Sequence, residues 1–364
     1  MPSEQDFFWK KKQILTYFMS IMVFFIHISS FSYYERSDGS LSIANYILST
    51  MSDRTLARCA VPLYFILSGA LFFRDYSNKL YLKKLKSRVF SLLIPFLCWN
   101  TIWMLFSIVT SYTPLSALFR GREKFLLTLP NVLEAIFHYS CNFPFWFVFE
   151  LMFFVLISPV FDLLLRNKWV AFGTVVGIFL LDSFGIGLPQ WLFDSAISPA
   201  HFLLGGIIGR YYFSFFTKKC STRLWIFAGA ACILFIFVGF FTETGWLPGA
   251  VMAVLSSPAV FNILMTLGAL GLWFVVDPII EKRKPRHIYR TSFFVYAMHI
   301  NVSAVVARLC YMVLPRWEGF AIVNFLVTTV VTLVIIDLIY RLLERFAPPI
   351  HNALSGNRTH YRGT

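Results

Sequence analysis

Charge is what this sequence has least of. Only 14% of its 364 residues are Asp, Glu, Lys or Arg, against 58% hydrophobic and 19% aromatic, and the mean hydropathy is +0.68. A water-soluble chain of this length carries far more charge, so a soluble domain is excluded and an integral membrane protein is expected. Acidic residues are the scarcer kind, 18 against 32 Lys and Arg, which leaves a net charge of +14. That excess would suit a nucleic-acid partner. The chain holds no RNA-binding motif, zinc spacing or basic tail, however, so no nucleic acid is expected. The cysteines (59, 98, 141, 220, 232 and 310) stand apart with no CxxC pair, which argues against a disulfide framework or a structural zinc site. GxGxxG, P-loop, HExxH and GxSxG are all missing, and with them several standard enzyme classes. Neither a metal site nor a bound cofactor is expected.

What the chain has is long apolar runs. They predict an all-α bundle of ten membrane spans near 14–34, 56–73, 89–109, 145–165, 169–184, 197–216, 224–241, 250–279, 288–314 and 320–343. The fifth is short and ends in GIGLP, which suits a tilted, broken or partly interfacial segment. The first run is too long for a signal-peptide core and lacks a small-residue cleavage pattern, so a retained anchor is expected. Lys and Arg gather in alternate connections: the N-terminal KKK, 74–88, Arg166 and Lys168, 217–223, 281–287 and the C-terminus. This positive-inside pattern predicts that both termini are cytoplasmic, in a cell membrane of the bacterial inner-membrane kind. The opposite loops (35–40, 186–194, 242–249 and 315–319) are acidic or rich in Gly, Ser, Pro and Trp, and the longest, 110–143, is the candidate outer cap. One membrane-embedded domain over 1–364, with short tails at 1–12 and 345–364, accounts for the whole chain.

Within the apolar runs the polar residues are not scattered. In the first span Gln13, Thr16, Ser20, His27, Ser30 and Tyr34 fall within an arc of roughly 100° on a helical wheel. An ionisable side chain inside a membrane needs a cavity or a partner. His27 is therefore either a functional group or a histidine satisfied by a neighbouring helix or the outer interface. Span nine repeats the pattern, with Ser292, Tyr296, His299 and Ser303 within about 60°. The two stripes either line a shared cavity or hydrogen-bond two helices together. Span four carries Asn142, Trp146 and Glu150 on one face, and the buried carboxylate needs a partner, either a histidine or Arg58. A His–carboxylate pair would suit a general base acting on a hydroxyl. Asp162, Asp182, Asp277 and Asp337 sit near span ends and are expected at the interface. The run Lys79, Lys83, Lys84, Lys86, Arg88 either anchors the bundle in membrane lipid or docks a polyanionic, nucleotide-bearing donor.

Several segments, in order, resemble a known family: ILTYFMSIMVFFIH, RCAVPLYFILSGALFF, LKSRVFSLLIPFLCW, PFWFVFELMFFVLISP, FLLGGIIGR, FFVYAMH and the terminal LSGNR. Their succession from about residue 10 to 358 is similar to the membrane-bound acyltransferase-3 family, multi-span O-acyltransferases that decorate surface polysaccharides and lipid-linked sugars. The resemblance implies a ten-span bundle, a cytoplasmic acyl-CoA such as acetyl-CoA as co-substrate, and a glycan hydroxyl as acceptor. It implies that His27 is the catalytic base and that Glu150 stands where relatives have an aspartate. Lys84, Lys86 and Arg88 would face the donor. Thr16, Ser20, Arg58, Ser68, Trp146, Ser292, Tyr296 and His299 would line the cavity. At three positions where the family tends to carry a cation, this chain has Thr16, Ser91 and Phe149. Outside catalysis, the same polar stripes could line the path of a transporter for a glycan or lipid-linked intermediate, or serve an assembly factor. The oligomeric state is left open.

Overall fold

A computed structural model describes residues 4–28, 30–36, 39–119, 123–187 and 193–357. Among these residues there is no β-strand. The helices, in order, begin with α1 (Glu4–His27), α2 (Ile43–Asp53), α3 (Ala60–Phe73), α4 (Tyr81–Arg88), α5 (Ile94–Tyr112) and α6 (Leu129–Phe137). Next come α7 (Trp146–Leu156), α8 (Ser158–Leu165), α9 (Lys168–Ser183), α10 (Ser198–Tyr211), α11 (Phe213–Thr217) and α12 (Thr222–Thr244). The last six are α13 (Gly249–Leu255), α14 (Pro258–Val275), α15 (Asp277–Lys282), α16 (Ser292–Val313), α17 (Phe320–Phe346) and α18 (Pro348–Ser355).

Among the described residues, seven helical segments are long and apolar enough to cross a membrane, or eight if α7 and α8, bent by 66°, count as one. Pro159 sits in the first turn of α8, where its ring clashes with the preceding turn and its missing N–H removes a helical hydrogen bond. The expected fifth and sixth spans are helices of 16 and 14 residues, α9 and α10, shorter than the seven candidate spans of 23 to 35 residues. Parts of the expected outer loops, at 37–38, 120–122 and 188–192, and Arg358 of the LSGNR segment lie outside the described residues.

The helices are inside-out relative to a soluble bundle. Helix α17 buries Asn324, Thr328 and Thr332 while exposing Leu326, Val330, Val334 and Leu338. Asn324 donates to the Ala307 carbonyl of α16, and Thr328 donates to Asn324 one turn away on α17, so one bond joins the two helices and a second supports it. This is the distribution that lipid favours, since hydrocarbon solvates Leu and Val but not an amide.

Glycine sets the closest contact. A Cβ on Gly205 or Gly209 of α10 would fall 2.1 or 2.2 Å from the carbonyls of Ile66 and Ala70 on α3, and one on Gly69 would fall 2.1 Å from that of Phe202. Only glycine lets two helix backbones approach this far.

The termini depart from the expected tails. Phe7, Phe8 and Lys11 are buried within α1, and α18 packs on α5, where the Trp99 indole donates to the Leu354 carbonyl at 3.0 Å. Lys11, only 1% exposed, pairs with Asp277 at 2.5 Å and lies over the Trp273 ring at 4.2 Å. Asp162 is likewise buried and paired with Arg210. Two acids expected at the interface are thus internal, because each gains a cation and hydrogen bonds there. Asp182 instead accepts from Asn262, and Asp337 pairs with Arg341 one turn away. Lys11→Met should destabilise the protein by about 3–5 kcal/mol, since it strands the Asp277 carboxylate. Adding Asp277→Asn should recover most of that loss in thermal unfolding in detergent; a double variant no better than the single would disprove the coupling.

Candidate active site

Two cavities open inside the bundle. The larger, about 620 Å³, lies towards the end that carries Lys12, Arg74 and Arg88, all three of which line it. Gln13 and Thr16 of α1, Ser68 of α3, Ser91 and Ser292 add hydroxyl and amide groups to its wall. Gln13 Oε1 and Ser91 Oγ are buried there without a hydrogen-bond partner among the described residues. Unmet polar atoms of this kind call for a ligand or water. Ser91 lies in a π-helical turn, Val89–Leu93, between α4 and α5. Such turns leave a backbone irregularity that often marks function.

The smaller cavity, about 280 Å³, is lined by His27, Arg58, Trp146, Ser195 and His201 on an otherwise apolar surface. Phe147 and Tyr296 line both cavities, so their rings form the partition between them. The Tyr296 hydroxyl donates to the Pro144 carbonyl, and its ring stacks on Phe145 at 5.4 Å and 6°. These contacts hold the partition in place.

His27 is the last residue of α1, and its ring centroid lies 5.4 Å from that of His299 on α16. His299 is fully buried and lies within hydrogen-bond distance of two carbonyls through Nδ1: Tyr296 at 2.8 Å and Val295 at 3.1 Å. A carbonyl accepts only, so Nδ1 carries the proton and Nε2 of the neutral ring holds a lone pair. That Nε2 has no partner among the described residues. An imidazole facing His27 with only an acceptor to offer can receive an N–H from His27 once His27 has taken a proton.

Glu150 is placed differently from expectation. It is 1% exposed and contacts neither histidine nor Arg58. Its Oε1 accepts from the backbone N–H groups of Asp194 and Ser195 at 2.7 and 3.2 Å. The Tyr139 hydroxyl donates to the Asp194 carboxylate, and burial together with that carboxylate pushes the phenol pKa up. Glu150 therefore clamps the segment that brings Ser195 and Ile197 to the smaller cavity, acting on the site through backbone. Arg58 turns to Glu243, 3.6 Å away.

The expected polar stripe of α1 is divided. Gln13 and Thr16 face the larger cavity, His27 the smaller, and Ser20 between them is fully buried, donating to the Tyr17 carbonyl. Ser30 and Tyr34 lie beyond the helix end in a 3-10 turn. On α16, Ser292 and Tyr296 line a cavity, whereas His299 and Ser303 are buried and hydrogen-bond to carbonyls of α16 itself, not to a second helix. Of the expected donor-facing cations only Arg88 lines a cavity. Lys84 donates to the Phe72 carbonyl at 2.5 Å, capping α3, and Lys86 is exposed.

The family model described as an acyltransferase domain matches residues 17–341. The chain belongs to the acyltransferase-3 family. Comparisons with curated proteins and with solved structures returned no match. The matched stretch contains His27, His201 and His299 as well as Arg74 and Arg88, while Lys12 precedes it. Two of the three positions at which the resemblance implies a cation, Thr16 and Ser91, do line the larger cavity. The third, Phe149, packs instead against His138 and Phe96. Lys12, one helical turn from Thr16, and Arg74, at the end of α3, place cations on that wall in their stead. Neither stood out in the sequence, where both merge into runs of anchoring charge. His201 was equally hidden; its signal was a lone histidine just before the FLLGGIIGR glycines.

Proposed function

We propose that the protein transfers an acyl group, acetyl in the simplest case, from acyl-CoA to a hydroxyl of a cell-envelope glycan or lipid-linked sugar. The observation that carries this reading is the pair of cavities meeting at Tyr296 and Phe147, one bordered by cations and the other by His27. Lys12, Arg74 and Arg88 would hold the phosphates of the donor, and the acyl thioester would pass between Phe147 and Tyr296 to the edge of the smaller cavity. On the other side His27 takes the proton of the acceptor hydroxyl as its oxygen attacks the thioester carbonyl. The C–S bond breaks, and the departing thiolate takes the proton from His27, leaving an ester and free CoA. His299 Nε2 accepts an N–H of the transient imidazolium and so steadies its charge. In this reading the ten spans expected from the sequence place the cationic end in the cytoplasm, where acyl-CoA is made, and the acceptor enters from the opposite face.

The test is acyl transfer in proteoliposomes with isotopically labelled acetyl-CoA, a panel of glycan acceptors and a free-CoA readout. Acceptor-dependent CoA release supports the reading. A folded wild type that stays silent with acetyl-CoA and longer acyl-CoAs, yet moves glycan across the bilayer, is a transporter instead.

The cations make a separate prediction. Arg88→Gln, Arg74→Gln or Lys12→Gln should each raise the KM for acyl-CoA about tenfold, the cost of one charge-assisted contact to phosphate. Lys86→Gln should leave it unchanged, since Lys86 is exposed and lines neither cavity. Equal effects at all four positions would mean that the general surface charge matters, not the cavity.

A further inference from the structure

His201 has no part in the reaction above, yet its ring lines the same cavity as His27. It stands in the first turn of α10 and is 1% exposed. Its Nε2 lies 2.9 Å from Thr266 Oγ1, and that oxygen lies 2.7 Å from the Asn262 carbonyl. Two acceptors do not sit 2.7 Å apart without a proton between them, so the single proton of Thr266 goes to Asn262. Thr266 must then accept from His201. Asn262 is tied in turn to Asp182 of α9, its Nδ2 donating at 2.6 Å. The Asn262 backbone carbonyl, by taking the Thr266 proton, thereby fixes the histidine tautomer, with the proton on Nε2 and a lone pair on Nδ1, while Asp182 only anchors the Asn262 side chain. Nδ1 makes no hydrogen bond within the described residues, and it is the one polar ring atom left for a ligand in the cavity.

Building on the transferase reading, we infer that His201 binds the acceptor by accepting, at Nδ1, a hydrogen bond from a second hydroxyl near the one that His27 deprotonates. A ring locked in this state offers no proton to carboxylate or phosphate oxygen. It selects a group that donates, which in a polyol is the neighbouring hydroxyl. The cationic cavity suits the anionic donor, and the smaller one, with one base and one fixed acceptor, suits a polyhydroxylated acceptor over a simple alcohol.

Two substitutions separate this role from a structural one. His201→Gln places its amide within reach of Thr266 but gives up the acceptor at the Nδ1 position. His201→Asn keeps an oxygen near Nδ1 but releases Thr266. In proteoliposomes with acetyl-CoA and whichever panel glycan the wild type acylates, His201→Gln should raise the acceptor KM about tenfold, the loss of one buried hydrogen bond, with the donor KM unchanged. His201→Asn, which keeps an acceptor near Nδ1 but whose unanchored amide can turn over, should raise the acceptor KM clearly less. If the histidine only braces Thr266, the order reverses, and that result overturns the inference, as does an equal change in both variants. Should neither variant fold, Thr266→Val tests the same point, since Thr266 does not line the cavity. It frees the tautomer and should raise the acceptor KM while Thr266→Ser does not; no difference between the two refutes the proposal. A wild type that releases no CoA with any acceptor sinks the transferase reading itself, and this inference with it.

Discussion

Alanine in place of His27 is expected to lower acyl transfer by about 10²–10⁴-fold, the usual contribution of a general base, with the KM for acyl-CoA little changed. The split follows from the architecture. His27 borders only the smaller cavity, so its loss leaves the cationic wall of the larger one intact. One other group nearby keeps a lone pair towards the cavity, Nδ1 of His201, and in the reading above the second hydroxyl occupies it. His299 has its proton committed to backbone carbonyls, and its remaining lone pair is shut away from the cavity. His201 is tied to Thr266, and Arg58 is a cation. The expected pattern is therefore a fall in kcat for His27→Ala beside a rise in acceptor KM for His201→Gln. Transfer in proteoliposomes, with thermal unfolding as the folding control, reads both. If His27→Ala folds and retains more than about a tenth of the wild-type rate, general-base catalysis by this residue is excluded.

The second large effect concerns the seam between α3 and α10. Gly205→Ala should destabilise the protein by about 3 kcal/mol, the upper end of overpacking costs, because the new methyl would sit on a backbone carbonyl and not on a side chain that can turn away. The helices would have to separate. They carry Phe65, Ser68, His201 and Phe202 into the cavity walls, so activity should fall along with stability. Gly173→Ala and Gly177→Ala are the controls, since a Cβ at either position of α9 meets nothing within 4 Å. Both should be neutral or slightly stabilising in a helix. Equal losses at Gly173 and Gly205 would show that helix flexibility, not close approach, is what these glycines supply.

Much of the bundle was legible because hydropathy is a local property. A run such as that in α12 or α17 announces a membrane helix without reference to any other residue. The broken and short elements were harder. Pro159 and the GIGLP end of α9 signal irregularity, but whether a 14-residue helix such as α10 reaches across depends on its tilt and neighbours, which no local pattern records. At the site, the periodicity picked out His27, Thr16, Ser292 and Tyr296, and the resemblance added Ser68 and Arg88; all of these line a cavity. Together they set Lys84 towards the donor, where the structure has it within reach of the Phe72 carbonyl, and they paired Glu150 with a histidine or Arg58, where two backbone N–H groups reach its Oε1. A sequence records that a buried carboxylate needs partners, but backbone donors from a distant loop carry no signature.

By itself, then, the sequence determined the solvent of this protein, its helical class and its family resemblance, and it singled out His27, which lines the smaller cavity, since composition, period and ordered motifs are properties of the chain. Tertiary structure decided which charges were sealed in ion pairs and which faced a cavity. Lys11 and Lys12 are neighbours in the chain, yet one is sealed against Asp277 and the other opens on the larger cavity. The difference is a rotation of about 100° around one helix, and its meaning comes from what the other helices bring to each side.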